Sequence, residues 1–152
     1  MRIYFYETYL PATDSYFISN RNLDLSKSQH AILGYDFNFA NDYRLKLEGY
    51  YQYVYNVPVQ KNYQSSFSMI NVGNALEGIP LVDSLENKGD GENIGIELTF
   101  EKFFNKHFYY LATVSVYESK YKGSNGMEHH TSYDGGYVIN ALAGYEFNLG
   151  KN

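Results

Sequence analysis

Along residues 44 to 56 polar and apolar side chains alternate with period two. Arg44, Lys46, Glu48 and Gln52 fall on one side of an extended backbone, and Leu45, Leu47, Tyr51, Tyr53 and Tyr55 on the other. Successive side chains of a strand point to opposite faces, so this is the pattern of a β-strand whose two faces meet different surroundings. Four more stretches repeat it. Residues 30 to 39 set Ala31, Leu33, Tyr35, Phe37 and Phe39 against His30, Asp36 and Asn38. Residues 93 to 101 set Ile94, Ile96, Leu98 and Phe100 against Asn93, Glu97, Thr99 and Glu101. Residues 108 to 119 set Phe108, Tyr110, Ala112, Val114 and Val116 against Tyr109, Thr113, Ser115 and Tyr117, and residues 137 to 147 carry a looser apolar row of Tyr137, Ile139, Ala141, Ala143, Tyr145 and Phe147.

The turns fix how these strands pair. A three-residue loop of Ala40, Asn41 and Asp42 puts Phe39 opposite Tyr43, Phe37 opposite Leu45 and Tyr35 opposite Leu47. A second loop of Asn105, Lys106 and His107 puts Phe100 opposite Ala112, Leu98 opposite Val114 and Ile96 opposite Val116. Both registers make one continuous apolar face, and a slip of one residue would destroy either. The remaining connections, 57 to 91 and 120 to 136, are long and polar, with "NKGDGE" and "KGSNG" as turn signals. The expected fold is therefore all-β: an antiparallel up-and-down meander of about five long strands, tight turns on one edge and long loops on the other.

Periodicity does not say which face is wet, but three features do. The alternation persists over about ten residues, the 9 to 11 of a tilted transmembrane strand rather than the five or six common in soluble domains. On the apolar row of residues 45 to 55 the order is Leu, Leu, Gly, Tyr, Tyr, Tyr, which gathers phenols at the long-loop end, where an interfacial aromatic girdle belongs. Short turns on one edge and long loops on the other are the asymmetry of outer-membrane barrels. The sheet is thus expected to be part of a transmembrane β-barrel. Leu45, Leu47, Tyr51, Tyr53, Tyr55, Ile94, Ile96, Leu98, Phe100, Tyr110 and Val114 would face lipid, and Arg44, Lys46, Glu48, Gln52, Glu97 and Glu101 the lumen. The alternative is a secreted, soluble all-β binding domain with a Tyr-rich face suited to carbohydrate.

Composition agrees with strands: the 152 residues include 18 Tyr and 10 Phe but 3 Pro. With no Cys there is no disulfide framework or thiolate metal site. A net charge of -5 offers no basic stripe, which argues against a nucleic-acid partner. Mean hydropathy is -0.45, and no apolar run reaches the roughly 20 residues of a membrane helix; a barrel remains open, since half its strand residues face a polar lumen. The opening "MRIYFYETYL" lacks the apolar core and small-residue cleavage site of a signal peptide.

Candidate chemistry is sparse. Glu97 and Glu101, four residues apart on a strand, stand roughly 13 Å apart, too far for a glycosidase pair. They read better as hydrated lumenal charges, or as partners of Arg44 or Lys46. His129 and His130 are adjacent, so their side chains diverge and a metal would need ligands from elsewhere. Asp83, Glu86, Asp90 and Glu92 are oxygen-rich enough for Ca²⁺ but lack EF-hand spacing. There is no GxSxG, no phosphate-cradling glycine loop before a helix and no nucleophile triad, so neither an enzyme nor a cofactor is expected.

Four blocks then carry a likeness. "NRNLDLSKSQHAILGYDFNF", "YRLKLEGYYQYVYNVPV", "DSLENKGDGENIGIELTFEKFF" and "ESKYKGSNGMEHHTSYDGGYVINALAGYEFNLGKN" resemble, in order, the C-terminal half of the barrel of a TonB-dependent outer-membrane receptor of the Bacteroidetes type. The resemblance implies a barrel of about 22 strands closed by a plug, in the outer membrane of a Gram-negative cell. It also implies active uptake of a metal chelate, vitamin or oligosaccharide, powered by the TonB complex. Residues 1 to 152 would be a partial barrel domain. Signal peptide, plug, TonB-contacting segment and closing strands lie outside them, and the partners would be lipid, the rest of the receptor and an unidentified ligand.

Overall fold

The computed structural model of the chain describes residues 7–61, 64–72, 84–147 and 150. Among them the chain is all-β. A small hairpin, β1 (Glu7–Leu10) and β2 (Ser15–Ile18), precedes a six-stranded antiparallel meander of β3 (Lys27–Phe39), β4 (Tyr43–Gln60), β5 (Leu85–Asn105), β6 (Phe108–Lys122), β7 (Glu128–His130) and β8 (Tyr137–Tyr145). The order is β3-β4-β5-β6-β7, with β8 also paired to β6. The four long strands have 13, 18, 21 and 15 residues, two to four times the usual length.

Both tight turns occur where the sequence puts them. Ala40 and Asn41 take positive φ (49° and 62°), and so do Lys106 and His107 (53° and 68°), the twist that joins strands without splaying them. In the first hairpin the Phe39 and Tyr43 rings stack at 5.4 Å. The second loop is shorter than expected, because Asn105 belongs to β5 and only Lys106 and His107 turn the chain. The strand body keeps the expected face-to-face relation: Ser115 donates to Glu97 at 2.9 Å. A three-residue and a two-residue turn reach compatible registers if one extra residue is absorbed as a bulge beside the turn.

The long connections differ more from the sequence reading. Residues 57–60 continue β4, and "NKGDGE" lies inside β5. Its glycines are there for close approach: a Cβ on Gly91 would stand 2.8 Å from the Lys120 carbonyl oxygen and 2.7 Å from Ile70. Gly, Asn and Asp ordinarily favour turns, but here packing overrides that preference. Within the second connection β6 runs on to Lys122 and β7 pairs with its end, leaving "KGSNG" as a true turn. Neither β1, β2 nor β7 is signalled by period-two alternation, each being four residues or fewer.

The chain divides into two compact units, each taking a segment of every long strand. The first comprises Met1–His30, Gln52–Asn93 and Ser119–Asp134; the second comprises Ala31–Tyr51, Ile94–Glu118 and Gly135–Asn152. The second unit is a bare sheet with no described layer over either face. The first holds the buried apolar residues Val57, Val59, Leu85 and Tyr121, and its core exists because of one backbone kink. Asn56 sits at φ 61°, and after it the alternation reverses. Tyr53 and Tyr55 stack on each other on the apolar face, while Val59 reaches the glycine row of the polar face, 2.4 Å from where a Gly89 Cβ would be.

Over those glycines folds the segment 64–72, with a 3-10 turn at Met69–Asn71 capped by Ser68 and a single bridge from Val59 to Ser68. The turn after β6 clasps it: Asn125 N and Ser124 Oγ both donate to the Ser65 carbonyl, at 3.1 and 3.2 Å. A Cβ on Gly123 would meet three backbone atoms of Ser65 and Ser66 at 2.7 to 2.9 Å, and backbone cannot swing aside. Gly123→Ala is therefore expected to cost about 1–3 kcal/mol locally. Native-state hydrogen exchange at the Asn125 amide should quicken accordingly; unchanged protection would show that the clasp yields without strain.

Candidate functional site

The polar face of the sheet is the candidate site. In the second unit it carries charge. Arg44 grips Asp36 through two nitrogens, Nη2 to Oδ2 at 2.6 Å and Nε to Oδ1 at 3.0 Å, and reaches Glu101 at 3.5 Å. Lys46 pairs with Glu48 at 2.5 Å. These pairs are one-quarter to two-fifths exposed and screened by solvent, so they add little stability and serve mainly to hold charges in fixed places on an open face. Glu97 and Glu101 are not brought together: Glu97 accepts from Ser115 while Glu101 faces Arg44. Arg44 is one of the two partners the sequence offers for these glutamates.

Tyrosines lie flat along this face over glycines. The Tyr50 ring occupies the place of a Gly95 Cβ, 2.6 Å from its hydroxyl, and Tyr109 does the same over its register partner Gly144, at 2.3 Å. Tyr117 covers Gly135 at 2.7 Å. Each pair turns a gap in the sheet into contact area for an aromatic ring, which the glycines alone would leave empty.

The polar face of the first unit is a hydrogen-bonded row that crosses the strands. Gln52 of β4 bonds His30 and Ser28 of β3, at 2.8 and 3.1 Å. On its other side the Gln52 carbonyl oxygen accepts from Asn93 of β5 at 2.6 Å. Ser119 of β6 then donates to Asn93 at 2.5 Å and accepts from Thr131, after β7, at 2.8 Å. Sequence reasoning places Gln52, His30 and Asn93 on the polar rows of their strands but does not join them or find Ser28, Ser119 and Thr131, because amides and hydroxyls at unrelated sequence positions carry no spacing signal. Register alone brings them level. Gln52→Ala opens the row at its centre and leaves Asn93 and His30 without their shared partner, an expected cost of about 1–2 kcal/mol in a partly exposed setting. Side-chain amide NMR reads it directly: the Asn93 resonances should shift and exchange faster, and unchanged resonances would mean that the row is not coupled.

Outside these rows the candidates fall apart as ligand sets. Asp83 lies outside the described residues. Glu86 pairs with Lys88 at 2.9 Å, and Asp90 and Glu92 take alternate positions of β5, sharing a small cleft with Tyr53, Lys120 and Glu128. His129 packs on Tyr121, and His130 turns to Asp134, so the two histidines diverge as adjacent strand residues must. No group of three or more His, Cys, Asp or Glu side chains suited to a metal occurs among the described residues. Among the described residues no helix is long and apolar enough to cross a membrane, which leaves strand crossing open.

On the apolar face of the second unit, rings form a ribbon across four strands. Tyr35, Phe37, Phe39, Tyr43 and Phe100 follow one another at 5.4 to 6.4 Å, and Phe100 and Phe108 both meet Tyr110 at 5.6 Å. Lys102 extends over the Tyr43 and Phe108 rings and donates to the carbonyls of Phe103, Asn105 and Phe108. Beyond the ribbon the same face is aliphatic, with Leu33, Leu45, Leu47, Ile94, Ile96, Leu98, Val114, Val116 and Ile139, and then Tyr51. Comparison of the chain with known protein families, with curated proteins and with solved structures finds no match.

Proposed function

We propose that the chain is a stretch of the wall of an outer-membrane β-barrel receptor of the TonB-dependent type, serving active uptake of a nutrient and performing no catalysis. One observation carries the reading. The apolar face is an aliphatic band bordered at one end by the aromatic ribbon and continued on β4 by Tyr51, and nothing among the described residues covers it. Leu33 is 82% exposed, Ile139 64% and Val116 60%, while the buried hydrophobic residues are Val57, Val59, Leu85 and Tyr121. A contiguous face of this kind is untenable in water, and a lipid bilayer covers it without a second protein layer.

The dimensions agree. From Tyr43 to Tyr55 a strand rises about 40 Å at about 3.3 Å per residue. At a tilt near 45° that is about 28 Å across the membrane, close to the apolar band of about 25 Å in such barrels. Lys102, its stem along rings and its ammonium on carbonyls, is placed as lysines are at a membrane boundary. In lipid the open edges of β3 and β8 would leave backbone groups unpaired at several kcal/mol each, so further strands must close the sheet. Fixed charges and amides on the opposite face then line a wet interior, against which a plug and a passing ligand would move.

The test is fractionation of native cells of the source organism. Peptide mass spectrometry for "YNVPVQK" should find it in the outer membrane, on a polypeptide several times larger than 17.6 kDa. Recovery as a soluble chain of its own size would overturn the membrane reading and make the Tyr-rich face a candidate binding surface of a secreted domain.

A further inference from the structure

The first unit contains a cleft of about 670 Å³ between the residues that follow β2 and the paired ends of β4 and β5. This is the size of pockets that enclose small organic ligands. Its lining divides by chemistry. Phe17, Leu23 and Leu85 supply an apolar wall, and Arg21 and Lys61 supply two cations. Neither cation has a carboxylate partner among the described residues, whereas Arg44, Lys46, Lys88 and Lys120 each have one. The frame around the cleft is fixed. Asn20 is buried and accepts from Leu85 N at 2.8 Å, and Asn87 bonds the Asp24 backbone on one side and the Asn56 carbonyl on the other.

We propose that this cleft binds a small amphipathic carboxylate, its charged head between Arg21 and Lys61 and its apolar body against Phe17, Leu23 and Leu85. An arginine fork accepts a carboxylate through two parallel hydrogen bonds, and a lysine adds a point charge. Glu86 also lines the cleft, tied to Lys88 at 2.9 Å. Its carboxylate would repel a second negative charge, which favours a monoanion over a phosphate dianion. Every described lining residue lies in the first unit, so the proposal stands apart from whether the bare apolar face meets lipid.

The experiment uses the full chain in detergent micelles and calorimetry against empty micelles, with naphthoate, naphthyl phosphate and naphthylmethanol as probes. Naphthoate should bind at least about tenfold more tightly than the neutral alcohol, the ratio expected of one charge-assisted contact. Arg21→Gln with Lys61→Gln should abolish that difference and leave the alcohol unchanged. Equal binding of acid and alcohol, a double variant that keeps its preference for naphthoate, or tighter binding of the phosphate would each overturn the assignment. Should the double variant lose its β-sheet circular dichroism, the unaltered chain decides. Its affinity for naphthoate must fall as salt rises while that for the alcohol holds, and a salt-independent naphthoate affinity refutes the site.

Discussion

Leu47→Arg and Val114→Arg should abolish insertion of this sheet into outer membranes, whereas Glu48→Leu should leave insertion largely intact. The asymmetry follows from the two faces. Leu47 stands 47% exposed on the aliphatic band beside Ile96 and Leu33, and Val114 belongs to the same face on β6. A guanidinium at the middle of a lipid-facing band costs about 2–4 kcal/mol, and the cost shrinks toward the interfaces, so the penalty should peak at these positions. Glu48 lies on the other face, where it loses one partly exposed pair with Lys46, worth at most about 1 kcal/mol. Its Cγ covers the open side of Gly34, 3.3 Å from where a Cβ on that glycine would stand, and leucine can cover it likewise. Heat-modifiable mobility and protease protection after assembly measure both. Equal tolerance on the two faces would mean that neither meets lipid, and a soluble, layered domain would take the place of the barrel wall.

Asn56→Val should be the most damaging single change in the first unit. Asn tolerates a positive φ, whereas a β-branched residue there is a strained outlier costing about 1–2 kcal/mol. The Asn56 side chain also donates to the Leu25 carbonyl at 2.9 Å, and losing that adds about 1 kcal/mol. The substituted strand can escape the strain only by continuing its alternation, which would turn Val57 and Val59 away from Gly89 and dismantle the small core beneath residues 64–72. Hydrogen exchange across residues 57–60 and 85–91 should therefore rise together, while the second unit keeps its protection. A uniform loss of protection would show instead that the kink supports the whole sheet.

These two cases mark where sequence was informative. The two-faced sheet was legible because its strands repeat a period, and the hairpins check one another: Phe39 with Tyr43 and Glu97 with Ser115 are the partners that alternation demands. The first unit was not legible, since its defining event leaves no trace in the pattern. Tyr53, Tyr55, Val57 and Val59 form an unbroken apolar row in sequence, and only the backbone at Asn56 divides it between faces. Likewise "NKGDGE" has the composition of a loop but the geometry of a strand, because its glycines admit Val59, Ile70 and the Lys120 carbonyl. The cross-strand amide row and the cation-lined cleft are products of register and tertiary approach. No local spacing encodes them.

The partner of β6 has one more consequence. Against β6, Lys120 pairs with His130 and Val116 with Tyr137, so the six residues Thr131 to Gly136 span what Tyr117 to Ser119 span opposite. The slip is sealed at both ends, by Thr131 N on the Ser119 carbonyl at 2.9 Å and Tyr117 N on the Gly136 carbonyl at 2.9 Å. In a closed barrel the stagger summed around the circumference sets strand tilt and girth. A three-residue discontinuity within one ladder uncouples the stagger of β7 from that of β8. The girth of the wall would then be inherited through β8 alone, leaving the β7 stretch free to gain or lose residues over evolutionary time without forcing the rest of the circumference to be rebuilt.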